Sequence, residues 1–277
     1  TGLAMALGEV LFAKALARMS QLHSLGLDPG RLSVNVSAQQ LRDPGFAQTV
    51  GDALVRDPRT ATIAFTGSRE VGLAIYAAAG QTPAGQHHLK RVICEMGGKN
   101  AIIVDASADL DEAVRAVCAS AFGYAGQKCS ACSRAIVLDA VYDTFLERLA
   151  GAARMLVIGD PAEPATDIGP VIDAAARDKL MAHVEEMRAK QKVTFAGKTP
   201  TGALGRGTWV APHIVELDKP DALTKETFGP ILHVLRYDPD DIEKIGAALK
   251  AKDYGLTLGV HSRLDSFQRE VRAACPV

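Results

Sequence analysis

The sequence predicts an α/β protein whose strands form a parallel or mixed sheet with helices on its faces. Three observations carry this. Short apolar runs of strand length alternate with longer stretches whose apolar residues recur at helical spacing. Glycine- and proline-rich turn signals fall between these runs. Hydrophobic residues make up 48% and charged residues 23% of the 277, the balance of a globular chain with room for one large domain or two ordinary ones.

The elements follow in chain order. Residues 15–30, "ALARMSQLHSLGLDPG", read as an amphipathic helix and a turn, leading into a strand, "RLSVNVS" (31–37). The style of the sequence changes around residues 50–57. "TATIAFTG" (60–67), "KRVICE" (90–95), "AIIVD" (101–105) and "RAIVLD" (134–139) have the apolar, β-branched character of short buried strands. So do "KVTFAG" (192–197), "ILHVLRY" (231–237) and "LTLGVHS" (256–262). "FTGSREVG" (65–72) reads as strand, glycine turn, helix. "DLDEAVRAVCASAFGY" places apolar residues at helical spacing behind an acidic first turn, which suits the positive end of a helix dipole. "VYDTFLERLAGAARML", "AAARDKLMAHVEEMRAKQ", "DDIEKIGAALKA" and "DSFQREVRAA" read as the remaining helices. Turn signals cluster at 159–170 and 197–207. Alternating strands and helices call for a sheet covered on both faces.

Charge and cysteine usage narrow the function. A formal net charge of −1 gives no electrostatic footprint for nucleic acid or an anionic membrane. No apolar run has bilayer length, and no charged-then-apolar signal segment opens the chain. Five cysteines, an odd and sparse set in a chain this long, are no disulfide framework and fit a reducing cytoplasm.

The stretch "GYAGQKCSACSR" (123–134) concentrates the chemistry. Its Cys129 and Cys132 form one CxxC. Zinc needs four ligands, and the histidines are scattered, with only His87 and His88 adjoining. A thioredoxin-type pair opens a helix after a first strand, whereas this one follows a helix and precedes a strand. Cys118, on a helix's apolar side, and Cys94, within a strand, read as small buried residues. Cys129 differs, because it lies in a glycine-flanked turn beside Lys128, where backbone can approach a ligand and positive charge favours thiolate. A nucleophilic thiol also needs a base. "CEMGGKN" offers Glu95, a carboxylate suited to that work in an apolar setting; its ordinary alternative is a solvated loop glutamate. Gly67 and Gly72 flank a turn able to aim backbone N–H groups at an anion. Their G-x-x-x-x-G spacing is not the dinucleotide fingerprint G-x-G-x-x-G.

Taken together, "FTGSREVG", "EMGGKNAIIVD", "GYAGQKCSACSR", "GDP…DIGPVI" and "ETFGPILHV" resemble, in order and spacing, the NAD(P)-dependent aldehyde dehydrogenase superfamily across about residues 51–277. "FGYAGQKCSACSR" looks most like its Δ1-pyrroline-5-carboxylate (L-glutamate γ-semialdehyde) dehydrogenase branch, which includes the aldehyde dehydrogenase half of proline utilization A proteins. The resemblance implies an aldehyde dehydrogenase-like α/β fold. Residues 51–96 would be the C-terminal part of a Rossmann-type NAD-binding domain, and 97–277 a catalytic domain incomplete at its C-terminus. It implies Cys129 as nucleophile, Glu95 as the base that activates water, and Gly67, Ser68 and Gly72 near the pyrophosphate of NAD. Glu226 would hold the nicotinamide ribose and Phe228 would pack beside the ring; without the family, they read as a loop acid and a core aromatic. Cys132 would be structural. The implied substrate is a small-molecule aldehyde, the implied assembly a homo-oligomer where the full architecture is present, and the implied compartment the cytoplasm. The family's oxyanion asparagine and the residues that distinguish NAD from NADP belong to a part with no match in residues 1–50.

Residues 1–50 carry a resemblance of their own. "LSVNVSAQQLRDPGF" looks like a piece of an EAL-type cyclic-di-GMP phosphodiesterase, in which the residue matching Asn35 is a metal ligand in a TIM barrel. Fifty residues cannot close a barrel that takes about 250, and one asparagine cannot hold a catalytic magnesium. Three expectations follow: an aldehyde dehydrogenase of the pyrroline-5-carboxylate type, a cyclic-di-GMP signalling module, or a catalytically silent assembly piece.

Overall fold

A computed structural model describes residues 51–275, apart from 224, 252 and 253, together with part of 14–27. The strand read at 31–37 and Asn35 lie outside the described residues. The chain divides into two compact units, Thr1–Met96 and Gly97–Val277.

The first unit is a β–α–β arrangement preceded by a short helix. Helix α1 spans Asp52–Arg56, strand β1 Thr62–Gly67, helix α2 Arg69–Ala79 and strand β2 Arg91–Met96. β1 and β2 pair in parallel, from Thr62 opposite Arg91 to Gly67 opposite Met96. The Ser68 side chain caps α2 by accepting from the Val71 N–H at 3.3 Å, which satisfies one donor left free at the helix start. A Cβ on Gly72 would lie 2.6 Å from Met96 Sδ, so the glycine lets α2 settle on β2. Cys94 Sγ and the Tyr76 hydroxyl tie the same two elements together, to the carbonyls of Gly72 and Val92. Burial alternates along β2, with Arg91, Ile93 and Glu95 on the exposed face.

The second unit is a six-stranded sheet with helices between its strands. Strand β3 is Ala101–Val104, helix α3 Leu110–Phe122, strand β4 Arg134–Leu138, helix α4 Asp139–Arg154 and helix α5 Ala174–Lys190. Strands β5 Lys192–Ala196, β6 His213–Leu217 and β7 Ile231–Tyr237 follow, then helix α6 Ile242–Lys250, strand β8 Leu258–His261 and helix α7 Asp265–Ala274. The strand order is β5-β6-β7-β4-β3-β8. Only β5 runs antiparallel to its neighbour. Central β4 is buried at every position, as a strand with both faces covered must be. Helix α3 starts where the Asp109 carboxylate accepts from the N–H groups of Asp111 and Glu112. It buries Val114, Val117, Cys118, Ala121 and Phe122 in the core. At about 1.5–3 kcal/mol per fully buried large side chain, this face and not propensity holds the helix in place.

Two elements escape the sequence reading. α1 is only five residues long, and β6 is a five-residue run closely following Pro212 and leading to Lys219-Pro220. Because β3, β4, β7 and β8 are parallel, the segments leading into them gather at one edge of the sheet. Those segments contain Gly97–Asn100, Cys129–Ser133, Glu226–Pro230 and Thr257, so the nucleophile candidate sits at the amino edge. Ligands of open α/β sheets more commonly bind at the carboxyl edge.

Candidate active site

Helix α3 runs into a turn that the polypeptide rarely adopts. Tyr124 and Ala125 have φ 54° and Gly126 has φ 65°, three successive residues in the left-handed region. For the two non-glycine residues this costs on the order of 1–2 kcal/mol each. Ala125, 2% exposed in the core, anchors the turn. A Cβ on Gly126 would lie 2.2 Å from the Gly229 carbonyl oxygen, so bare backbone at 126 lets the "ETFGP" turn lie directly on the nucleophile turn. The Gln127 side chain accepts from the Ile172 N–H at 3.1 Å and fixes the other side.

Cys129 emerges from this turn as an exposed thiol. Cys118, Cys132 and Cys275 are buried and Cys94 is half-buried. Burial pushes the Cys118 thiol up to about 11 and the Cys132 thiol up to about 12. Cys132 Sγ donates to the Arg134 carbonyl at 3.3 Å. Of the CxxC pair, the first thiol is exposed and the second is buried. Among the described residues no group of three or more His, Cys, Asp or Glu side chains is placed to hold a metal ion. Lys128 is exposed, its ammonium 5.6 Å from the Tyr124 ring centroid.

Beside this turn lies a small cleft between the "GGKN" and "ETFGP" segments, with Gly98, Lys128, Ala131, Glu226, Thr227 and Phe228 among its lining residues; Cys129 adjoins it in sequence and does not line it. The Glu226 carboxylate accepts from the Gly98 N–H at 3.0 Å and lies over Gly97, where any Cβ would collide with it. Phe228 is 43% exposed, so it is a cleft side chain and not the core aromatic that its sequence alone suggested. Behind the cleft, the buried Arg134 guanidinium donates to the Lys99 carbonyl through Nε at 3.1 Å and through Nη2. Burial lowers its pKa to about 10.

The first unit holds the other predicted residues. Gly67 ends β1, Ser68 caps α2 and Gly72 packs on Met96, so the strand–turn–helix reading is reproduced with residues 66–71 exposed. Glu95 is exposed near the end of β2, not in the apolar setting invoked for a base. Sequence reasoning missed Asn100. It is 5% exposed, and its amide spans the loops before β4 and β8. No local pattern marks it, because its partners lie about 30 and 157 positions away.

The aldehyde dehydrogenase family model matches residues 10–275. The chain belongs to the aldehyde dehydrogenase family. The match takes in most of the segment 1–50 that the sequence reading set apart. A 1-pyrroline-5-carboxylate dehydrogenase of Geobacillus thermodenitrificans is 44% identical over 222 residues, covering 79% of this chain and 42% of that protein. The bifunctional protein PutA of Klebsiella aerogenes is 40% identical over 238 residues, 84% of this chain and 18% of that one. Among solved structures, a 1-pyrroline-5-carboxylate dehydrogenase from Thermus with bound NAD superposes with a TM-score of 0.74 at 40% identity, covering 82% of this chain and 43% of that one. Proline utilization A of Bradyrhizobium japonicum, as a point mutant, gives 0.76 at 43% identity, over 82% and 23%. The chain thus spans 42% of the length of the first of these relatives.

In this family member a histidine pair, His233 buried and His183 half-buried, backs the cleft. His233, 0% exposed, sets Nδ1 3.1 Å from the Ser133 carbonyl and Nε2 2.9 Å from His183 Nε2. A carbonyl only accepts, so Nδ1 carries the proton and Nε2 accepts from His183. Burial, with His183 beside it, holds the His233 imidazole down at about 3. That lies below the unfolded value of 6.5, so the unfolded chain takes up the proton first. The stability tied to neutral His233 is therefore complete above about pH 6.5 and drains away as pH falls toward 3. At about 1.4 kcal/mol per pH unit, roughly 2 kcal/mol is lost between pH 6.5 and 5, above the range where carboxylates titrate. Thermal unfolding midpoints should be flat from pH 8 to 7 and fall below 6.5, with a shallower fall in His233→Asn. A midpoint independent of pH over this range contradicts a buried, neutral His233.

Proposed function

We propose that the chain carries the catalytic machinery of a NAD-dependent L-glutamate γ-semialdehyde (1-pyrroline-5-carboxylate) dehydrogenase of proline catabolism, working in the cytoplasm. The observation that carries this reading is the exposed Cys129, held on a fixed turn in a family member whose relatives bear that name. Cys129 is the nucleophile: its thiolate forms a C–S bond to the aldehyde carbon, and the carbonyl oxygen gains the negative charge. Backbone N–H groups of the turn stabilise that oxygen. The thiohemiacetal on Cys129 becomes a thioester by loss of a hydride, for which bound NAD would supply the acceptor. Glu95 then accepts a proton from water, which attacks the acyl carbon; the C–S bond breaks and the thiolate returns.

The residues present suit the cofactor. The exposed start of α2, an eleven-residue helix, offers Gly67, Ser68 and the turn before Gly72 to a pyrophosphate. The Glu226 carboxylate suits ribose hydroxyls, and the Phe228 ring, open to the cleft, suits a flat heterocycle. Assembly into a homo-oligomer fits the exposed apolar residues of the first unit, Leu73 and Tyr76 on α2 and Ile93 on β2. The same exposure favours, as a second reading, a catalytically silent assembly unit.

One assay separates these. NADH absorbance is followed with L-glutamate γ-semialdehyde, with aldehydes lacking a carboxylate, and with NADP in place of NAD. The proposal expects the fastest NADH formation from the semialdehyde with NAD. No NADH from any aldehyde supports the silent unit, and a preference for an uncharged aldehyde removes the substrate assignment.

A further inference from the structure

Ala131 N–H donates to the Lys128 carbonyl at 3.1 Å, which closes a four-residue turn with Cys129 and Ser130 at its centre. Such turns come in two common forms that differ by a flip of the central peptide, here the bond joining Cys129 to Ser130. An exposed turn is free to sample both. In this chain the Asn100 amide removes that freedom. Its Nδ2 donates to the Cys129 carbonyl at 2.6 Å and to the Ala131 carbonyl at 3.0 Å. Its Oδ1 accepts from the Thr257 N–H at 3.1 Å. Two acceptors on one side and a donor on the other settle which end of the amide is nitrogen. The Asn100 backbone carbonyl takes the N–H groups of Ser133 and Arg134 at 3.0 and 3.1 Å. A Cβ at Gly98 would lie 2.7 Å from Oδ1, so glycine there keeps room for the amide.

We propose that Asn100 is a positioning residue for acyl transfer at Cys129: by holding the Cys129 carbonyl it selects one orientation of the Cys129–Ser130 peptide. A trans peptide points its N–H opposite its C=O. Drawing the carbonyl toward Asn100 therefore turns the Ser130 N–H to the other side of the turn. There it is available to an oxyanion formed at the thiol. Asn100 acts only through this backbone and touches no reacting atom. The inference rests on Cys129 being the acyl-accepting thiol.

Two probes of the whole chain test it without cofactor. p-Nitrophenyl acetate acylates a thiolate through a tetrahedral oxyanion and releases p-nitrophenolate, which is read at its absorbance. Iodoacetamide alkylates the same thiolate with loss of iodide and no oxyanion, located by peptide mass spectrometry. In Asn100→Asp, a carboxylate replaces the donor facing two carbonyls and the peptide is released. Acylation of Cys129 is expected to slow by about 100-fold, the scale of a 1 Å misplacement, while alkylation changes less than about threefold. Lowering pH protonates the new carboxyl and restores one donor, so part of the variant's deficit relative to wild type at the same pH recovers. Cys132 must stay protected from iodoacetamide; if it does not, the comparison moves to Asn100→Ser, which keeps one donor and should lose about tenfold. Equal acylation by wild type and the folded variant overturns this inference alone, as does a parallel loss in both reactions. A wild-type Cys129 that is never acylated overturns the proposed function and this inference with it.

Discussion

Replacing Cys129 with alanine is expected to abolish NADH formation, with a loss of at least about 10³-fold, because the covalent route then has no nucleophile. No other described thiol can take over. Cys118 and Cys132 are buried, with pKa values pushed to about 11 and about 12, and burial raises the half-buried Cys94 as well. The residual rate distinguishes mechanisms. A variant that keeps more than a few per cent of wild-type NADH formation would mean that the thiol is not the nucleophile. Iodoacetamide should label Cys129 far faster than Cys118 in the same sample, and the alanine variant should lose that fast phase.

Glu95→Gln should separate the two halves of the reaction. Glutamine keeps the size of the side chain and removes the base. Thioester formation does not need that base, so a burst of one NADH per Cys129 is expected. Steady-state turnover should then fall by about 10²–10⁴-fold, the usual worth of general acid–base catalysis. Rapid-mixing absorbance measures both phases. Loss of the burst along with turnover would place Glu95 in acylation or in folding. Full activity would reassign it to the solvated role that its exposed place on β2 permits.

What was legible in the sequence depended on the range of the cause. α3 was readable because its capping aspartate, acidic first turn and apolar stripe all lie within a few residues of one another. The strand–turn–helix at Gly67–Gly72 was readable for the same reason. β6 was not, since "HIVEL" is too short to show a period, and only its place between β5 and β7 makes it a strand. The left-handed turn at Tyr124–Gly126 is enforced by burial of Ala125 and the close approach of Gly229, neither of which a local pattern records. Cys129 was marked by composition, as a cysteine among glycine, serine and lysine. Asn100 carried no such mark, since its role exists only once the loops before β3, β4 and β8 meet. The exposure of Phe228 likewise depends on which side of the "ETFGP" turn faces the cleft.

The central claim is that an acyl group resides on the sulfur of residue 129 during turnover. Mass spectrometry of the Glu95→Gln chain, quenched in acid after mixing with L-glutamate γ-semialdehyde and NAD, tests it most directly. The account predicts a glutamyl thioester on the peptide containing Cys129, formed in step with the NADH burst and absent when NAD is omitted. Unmodified Cys129 in the presence of NADH, or an acyl group found on Cys94 instead, contradicts it.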